Sequence, residues 1–414
     1  MPGGVAAADG NGKDGASNPA LLTRPPAPAP GRPALPLKLL RPLLLLAVLA
    51  TGVLAVVVLL LGGSTYSSVL PRGALSVPDA ALPSRRQRAG DGDGGRPPLE
   101  RWTRAPASAW HNMSDEELLW AASWRPAVAR YPFRRVPKVA FMFLTRGPLP
   151  LAPLWDKFFA GAGGRELYSV YVHATPGYRP EFPPASPFYR RQVPSQVARW
   201  GETNMLDAER RLLANALLDP SNERFVLVSE SCVPLYGFGV VYHYLTRSRH
   251  SFVGAFDDPS PHGRGRYRAG LAPEVRPEQW RKGAQWFEVA RAVAVDVVVA
   301  DDRYYPKFRE HCRPPCYVDE HYLPTVLSVE APARIANRSV TWVDWSRGGA
   351  HPATFGEADV DEAFLRRLTA PGKDQGTCTY NGQPAEVCFL FARKFAPNTL
   401  QRLLTLAPKM LGYG

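Results

Sequence analysis

Apolar residues along this chain come in two kinds of run: short unbroken blocks and stripes at helical spacing. The blocks are Val139-Ala140-Phe141-Met142-Phe143-Leu144, residues 167–173, Phe225-Val226-Leu227-Val228, and Phe252-Val253-Gly254-Ala255-Phe256. A continuous β-branched and aromatic block suits a strand covered on both faces. Between the blocks, residues 154–159, 204–218 and 238–246 read as helices; Met205, Ala208, Leu212, Leu213, Ala216 and Leu217 give the second its apolar face. Strand, helix, strand in that order predicts parallel βαβ units, hence an α/β domain with a mainly parallel central sheet of at least four strands.

The pattern continues with a short strand at Trp286-Phe287-Glu288-Val289, a helix over 290–300, a strand over 340–345 and a helix over 360–368. A cysteine-bounded strand then runs into Phe389-Leu390-Phe391, and a last helix follows Pro397. Ahead of the sheet, Ser114 and Glu117 fit a capping box. The block at Phe225 is the clearest buried strand, and Ser229, Glu230, Ser231 and Cys232 follow it directly. Ligands of open α/β sheets collect at the carboxyl ends of strands, so these polar groups are candidates for a site. A capped turn would use the same residues.

The amino-terminal part follows a different pattern. Residues 1–37 are rich in Gly, Ala and Pro and predict a disordered tail. Residues 43–61 form an uncharged apolar run long enough to cross a bilayer, with Lys38 and Arg41 just before it and Arg72 the next basic residue after it. The positive-inside rule then leaves the tail in the cytosol and the rest in the lumen, a single-pass type II arrangement. Gly62-Gly63-Ser64-Thr65-Tyr66 is a poor cleavage site, which favours a retained anchor over a signal peptide. Residues 62–110 read as a Pro, Gly and Ser-rich stem, and 111–414 as one lumenal domain.

Composition sharpens this picture. A net charge of +13 points to an anionic partner. Nucleic acid is disfavoured, because no zinc-finger spacing, long basic helix or lysine-rich tail is present. The five cysteines, Cys232, Cys312, Cys316, Cys378 and Cys388, all follow the apolar run, where disulfides persist. Cys312 and Cys316 with His311 and His321 raise a zinc site, but a matching second pair is missing, and disulfides are the better reading. The odd thiol is assigned to Cys232. Asn112 and Asn337 open sequons.

A membrane-tethered lumenal α/β domain with a basic loop, residues 263–282, suggests an enzyme acting on sugar nucleotides, whose diphosphate must be neutralised as it leaves. Paired carboxylates holding a divalent metal are one solution. Here Asp91 and Asp93 fall in the stem, Asp359 and Asp361 open a helix, and Asp257-Asp258 and Asp301-Asp302 lack the intervening residue. A metal-free site using basic residues fits better. Glu320, in Asp319-Glu320-His321, starts a helix after the Cys312–Cys316 loop and is a candidate base. Acids at such a position also serve simply to counter the helix dipole.

These segments together resemble the core-2/I-branching β-1,6-N-acetylglucosaminyltransferase family, in particular its plant members. The resemblance runs over residues 135–410 and rests on the β-strand blocks at Val139 and Phe225, Lys282-Gly283-Ala284-Gln285-Trp286-Phe287-Glu288-Val289, Asp319-Glu320-His321-Tyr322, Trp342-Val343-Asp344-Trp345-Ser346 and Phe389-Leu390-Phe391-Ala392-Arg393-Lys394-Phe395. It implies a GT-A-like fold, inversion at the anomeric carbon, no metal or other cofactor, and a Golgi membrane location. Glu320 matches the family's catalytic base, and Lys394 its contact to the diphosphate of a UDP-sugar. The animal enzymes carry a second basic residue where this chain has Gln375, so Lys373 or Arg393 is expected to substitute. They also carry an acid where this chain has His173-Ala174, which puts donor recognition on a different footing. Thr145, Arg146 and His173, at strand ends, are assigned to the donor side; Glu230, Asp257 and Trp286 to the acceptor, a glycan or glycoprotein. The expected reaction is transfer of GlcNAc from UDP-GlcNAc to a hydroxyl. The alternatives are transfer of glucuronic acid or another sugar to arabinogalactan-type glycans, and a catalytically silent glycan-binding protein.

Overall fold

The computed structural model describes residues 105–124, 131–132, 135–369 and 378–414. The expected tail, the anchor, most of the stem, Lys373 and Gln375 lie outside the described residues. Among the described residues no helix is long and apolar enough to cross a membrane.

The first described helix, α1 (Asp115–Ala122), starts as its capping box requires. The backbone N–H of Glu117 donates to Ser114 Oγ at 3.2 Å, and that of Ser114 to Glu117 Oε2 at 2.7 Å. There follow β1 (Lys138–Leu144), α2 (Ala152–Ala160), β2 (Tyr168–His173), α3 (Thr203–Leu217) and β3 (Asn222–Ser229). A two-residue strand, β4 (Val233–Pro234), leads to α4 (Phe238–Thr246). After a long loop come β5 (Glu288–Ala290), α5 (Tyr305–His311), α6 (Val318–Glu330), β6 (Thr341–Val343) and α7 (Glu362–Thr369). The chain closes with β7 (Cys378–Tyr380), β8 (Gln383–Ala385), β9 (Phe391–Arg393) and α8 (Leu400–Met410).

The main sheet has the order β2-β1-β3-β5, with β1 parallel to β2 and β3, and β5 antiparallel to β3. It is a mixed α/β arrangement with a mainly parallel centre, as expected. Alternate side chains of the central strands feed two cores. Ala140, Met142, Phe225 and Leu227 face the side where α3 packs. Val139, Phe141, Phe143, Val226 and Val228 join the aromatic residues of α2 and α4 and the leucines of α8 on the other. A smaller sheet, β4-β9-β6, continues the second core.

Three expected strands differ. Residues 252–256 form no ladder: Phe252 and Phe256 make isolated bridges to Glu288 and Lys282. Gly254 interrupts the block, and the Phe256 ring folds back over it, so the fourth place in the sheet goes to β5. The strand expected over 340–345 is limited to β6. The cysteine-bounded segment is a hairpin, β7–β8, and β9 starts only at Phe391.

Between β3 and β5, Arg224 grips Glu288 through two hydrogen bonds of 2.6 and 2.7 Å, with both side chains buried. Burial pushes the Glu288 carboxyl up, and the guanidinium draws it back. Arg224→Met strands that acid in the core, and we expect a loss of about 3–5 kcal/mol at neutral pH, read by urea unfolding. A change below about 1 kcal/mol would show that the pair does not fasten the edge strand.

Candidate active site

A cleft of about 850 Å³ opens where β1, β2 and β3 end. Its walls are Thr145 and Arg146 after β1, His173 at the end of β2 and Ser229-Glu230-Ser231 after β3. Residues 282–286, Asp319-Glu320 of α6 and Arg393-Lys394 at the end of β9 close it. Carboxyl-edge placement is where an open α/β sheet leaves room for a ligand.

Glu320 sits in the first turn of α6, whose start is set by Tyr317 in the left-handed region at φ 54°. Its Oε2 accepts a 2.7 Å hydrogen bond from Arg266 Nη1, and Lys282 Nζ lies 3.6 Å away. The Arg266 guanidinium in turn covers the Tyr317 ring at 4.3 Å. The backbone is equally fixed: Gly283 N–H donates to the Glu320 carbonyl at 2.8 Å. A Cβ at Gly283 would come within 2.1 Å of the Gly254 carbonyl and 2.7 Å of the Pro324 ring on α6, so this close packing requires glycine.

Behind Glu320 lie two buried acids. Burial and the adjacent Glu320 charge push the Asp319 carboxyl up to about 7. Burial, then Asp319, raise Glu209 on α3, which accepts a 2.9 Å hydrogen bond from Gln285 Nε2. His321 faces away from this chemistry: burial lowers it to about 3, its Nδ1–H donates to the Arg281 carbonyl at 2.8 Å, and its ring stacks on Trp280.

On the far strand ends, Lys394 and Arg393 are both partly buried, and the Nε of Arg393 is out of reach of solvent. Burial lowers both, and for Lys394 the neighbouring Arg393 charge adds to the effect. Arg393 stacks its guanidinium 4.1 Å from the Trp286 ring, and its Nε has no hydrogen-bond partner. Among the described residues neither cation has a carboxylate within 4 Å. Two adjacent cations partly withdrawn from water, with no carboxylate in contact among the described residues, can receive an anion.

The remaining sequence candidates divide. Glu230 lines the cleft. Trp286 lines it too, but is 7% exposed, and Arg393 takes one of its faces. Asp257 is turned into solvent, held by Arg264 through bonds of 2.7 and 2.6 Å, and its neighbour Asp258 lines the cleft instead. Thr145 spends its hydroxyl on the Gly147 turn. Arg146 is exposed at the rim. His173 Nε2 accepts from Arg211 Nη1 at 3.2 Å and from the Gln196 N–H at 3.3 Å. Burial and Arg211 lower it to about 3, so it is neutral. Arg211 is anchored by Asp115 of α1 at 2.7 and 2.5 Å.

Both sequon asparagines are exposed, and Asn337 Oδ1 accepts a 2.7 Å bond from the Ala255 N–H. Cys312 pairs with Cys316 and Cys378 with Cys388, leaving Cys232 free and buried. Among the described residues no three His, Cys, Asp or Glu side chains gather in a metal-binding group. Sequence reasoning missed Arg266 and Lys282 as partners of Glu320. The basic loop was the signal, but nothing in its spacing selects two of its six cations.

The Core-2/I-Branching enzyme family profile matches residues 139–369. The chain is also 38% identical over 336 residues to glycosyltransferase BC10 of Oryza sativa subsp. japonica, covering 68% of this chain and 81% of the relative. This chain belongs to the Core-2/I-branching enzyme family. It is therefore a glycosyltransferase, with a sugar donor and a glycan acceptor as its partners. The match begins one residue into β1 and ends at the last residue of α7, so it contains Glu320 and the strand ends around it. Arg393 and Lys394 lie beyond it, at the end of a strand that returns to the same cleft.

Proposed function

We propose that the enzyme is an inverting, metal-independent glycosyltransferase that moves GlcNAc from UDP-GlcNAc to a hydroxyl of a glycan or glycoprotein acceptor. The reading is carried by one juxtaposition: a carboxylate held by Arg266 and Lys282 shares a cleft with two cations that, among the described residues, have no carboxylate within 4 Å. Glu320 takes the proton of the acceptor hydroxyl as that oxygen attacks the anomeric carbon. The bond from that carbon to the UDP oxygen breaks, and the departing diphosphate carries the electron pair onto Lys394 and Arg393. Attack and departure on opposite faces invert the centre. Glu230 and Asp258, which line the cleft, are assigned to hydrogen bonds with sugar hydroxyls.

Side-chain cations neutralise the leaving group here, so chelation should not matter. EDTA is expected to leave the rate within about twofold of the untreated enzyme. A loss that manganese restores would move the chemistry to the acidic pairs. We further assign residues 1–37 to a cytosolic tail, 43–61 to a type II anchor in the Golgi membrane, 62–110 to a stem and 111–414 to the lumenal catalytic domain, on the strength of the apolar run and its flanking charge.

The deciding experiment offers the purified full-length chain UDP-GlcNAc and UDP-glucuronic acid with a mixed β-galactan and glycoprotein panel. Product from UDP-GlcNAc alone supports the proposal. Product from UDP-glucuronic acid alone replaces the donor, and no product from either despite bound UDP overturns the transfer reading for this panel.

A further inference from the structure

Three large aromatic side chains stand open on the cleft outside either core: Trp345, 49% exposed, and the two that border the cations of Glu320, Trp200 and Phe256. Trp200 is 46% and Phe256 53% exposed, and both line the cavity. Apolar surface left open at a binding cleft marks a contact for something that covers it.

Trp200 and Phe256 are each tied to a different cation of Glu320. The Trp200 ring lies 4.7 Å from that of Tyr317, which carries Arg266. Phe256 exchanges backbone hydrogen bonds of 2.7 and 2.9 Å with Lys282. The two platforms therefore reach the carboxylate through separate neighbours. Both are also preset. Gly201, at φ +81°, turns the chain beside Trp200, and a Cβ there would meet the Tyr317 ring at 3.2 Å. The Phe256 ring rests on the bare backbone of Gly254, where a Cβ would come within 2.8 Å of it. Aromatic side chains already held in position give up little freedom when a ligand covers them.

A pyranose ring has an apolar face of C–H bonds that packs on an aromatic face, whereas its hydroxyls seek polar partners. We propose that Trp200 and Phe256 are outer acceptor subsites, and that the acceptor is an oligosaccharide chain of at least three pyranose residues. Its reacting sugar lies at Glu320, with a further sugar on each aromatic. This rests on the transfer reading above and narrows its acceptor from any glycan to an extended chain.

The test is calorimetric titration of the full-length protein, with UDP present, against β-linked galacto-, xylo- and manno-oligosaccharides of two and six residues. In at least one series the longer sugar should bind about tenfold more tightly, as added ring stacking implies. Trp200→Ala and Phe256→Ala should each cut that gain about threefold, and the double variant should remove it. Trp200→Phe and Phe256→Tyr should keep it, and UDP affinity should not move in any of them. Equal affinity for both lengths in every series, or a length gain that survives the double variant, overturns the proposal. Transfer measured on the same samples separates the two readings. Absence of transfer alongside a gain that the double variant abolishes counts against the transferase mechanism alone. Transfer with no length gain counts against the outer subsites alone.

Discussion

Glu320→Gln is expected to lower kcat for sugar transfer by about a hundredfold to ten-thousandfold, the span that positioned general bases contribute. The amide keeps the size of the side chain and one oxygen able to accept from Arg266, which now donates at 2.7 Å. Gly283 and the first turn of α6 hold the backbone regardless. UDP affinity and the melting temperature should therefore stay close to those of the unaltered protein. The loss should fall on kcat rather than KM, because the group acts on a proton that moves only in the transition state. Transfer within tenfold of the original would retire Glu320 as the base.

The second large effect concerns the donor. Lys394→Ala should weaken UDP binding about tenfold to a hundredfold, the worth of a hydrogen bond to a charged group. The same substitution should leave the unliganded protein as stable as before or more so. Lys394 is half-buried beside the Arg393 charge, and removing it relieves that repulsion. A purely structural lysine would behave in the opposite way, with lower stability and unaltered affinity. Calorimetry with UDP, set beside thermal unfolding of the unliganded chain, reads both signs at once. Unchanged UDP affinity would show that the diphosphate is held elsewhere.

The strand blocks at Val139, Tyr168 and Phe225 were legible because buried parallel strands must be apolar on both faces, and their carboxyl ends then located the cleft. Glu320 was legible only through the resemblance carried by Asp319-Glu320-His321, since an acid at a helix start fits dipole compensation equally well. What the sequence left hidden is non-local. The strand β9 crosses from the end of the chain to lie between β4 and β6, a pairing that no periodicity records. Asp258 rather than Asp257 reaches the cleft because Arg264 claims the other acid. Gly254 looked like one residue of a strand, yet its missing side chain makes room for the Phe256 ring, and its carbonyl takes the close approach of Gly283. Trp286 read as a platform for sugar, and burial with Arg393 gives it a different neighbour.

The two disulfides join residues only 4 and 10 positions apart. A crosslink withdraws entropy from the unfolded chain in proportion to the logarithm of the loop it closes, so each contributes less than about 3 kcal/mol. Neither ties one sheet to the other. Each instead stiffens a local segment, the approach to α6 and the β7–β8 hairpin. Cys232 is buried once β3 is packed, and each of the other four cysteines has its partner close by along the chain. Maturation of this enzyme should thus depend little on thiol exchange to undo wrong pairings.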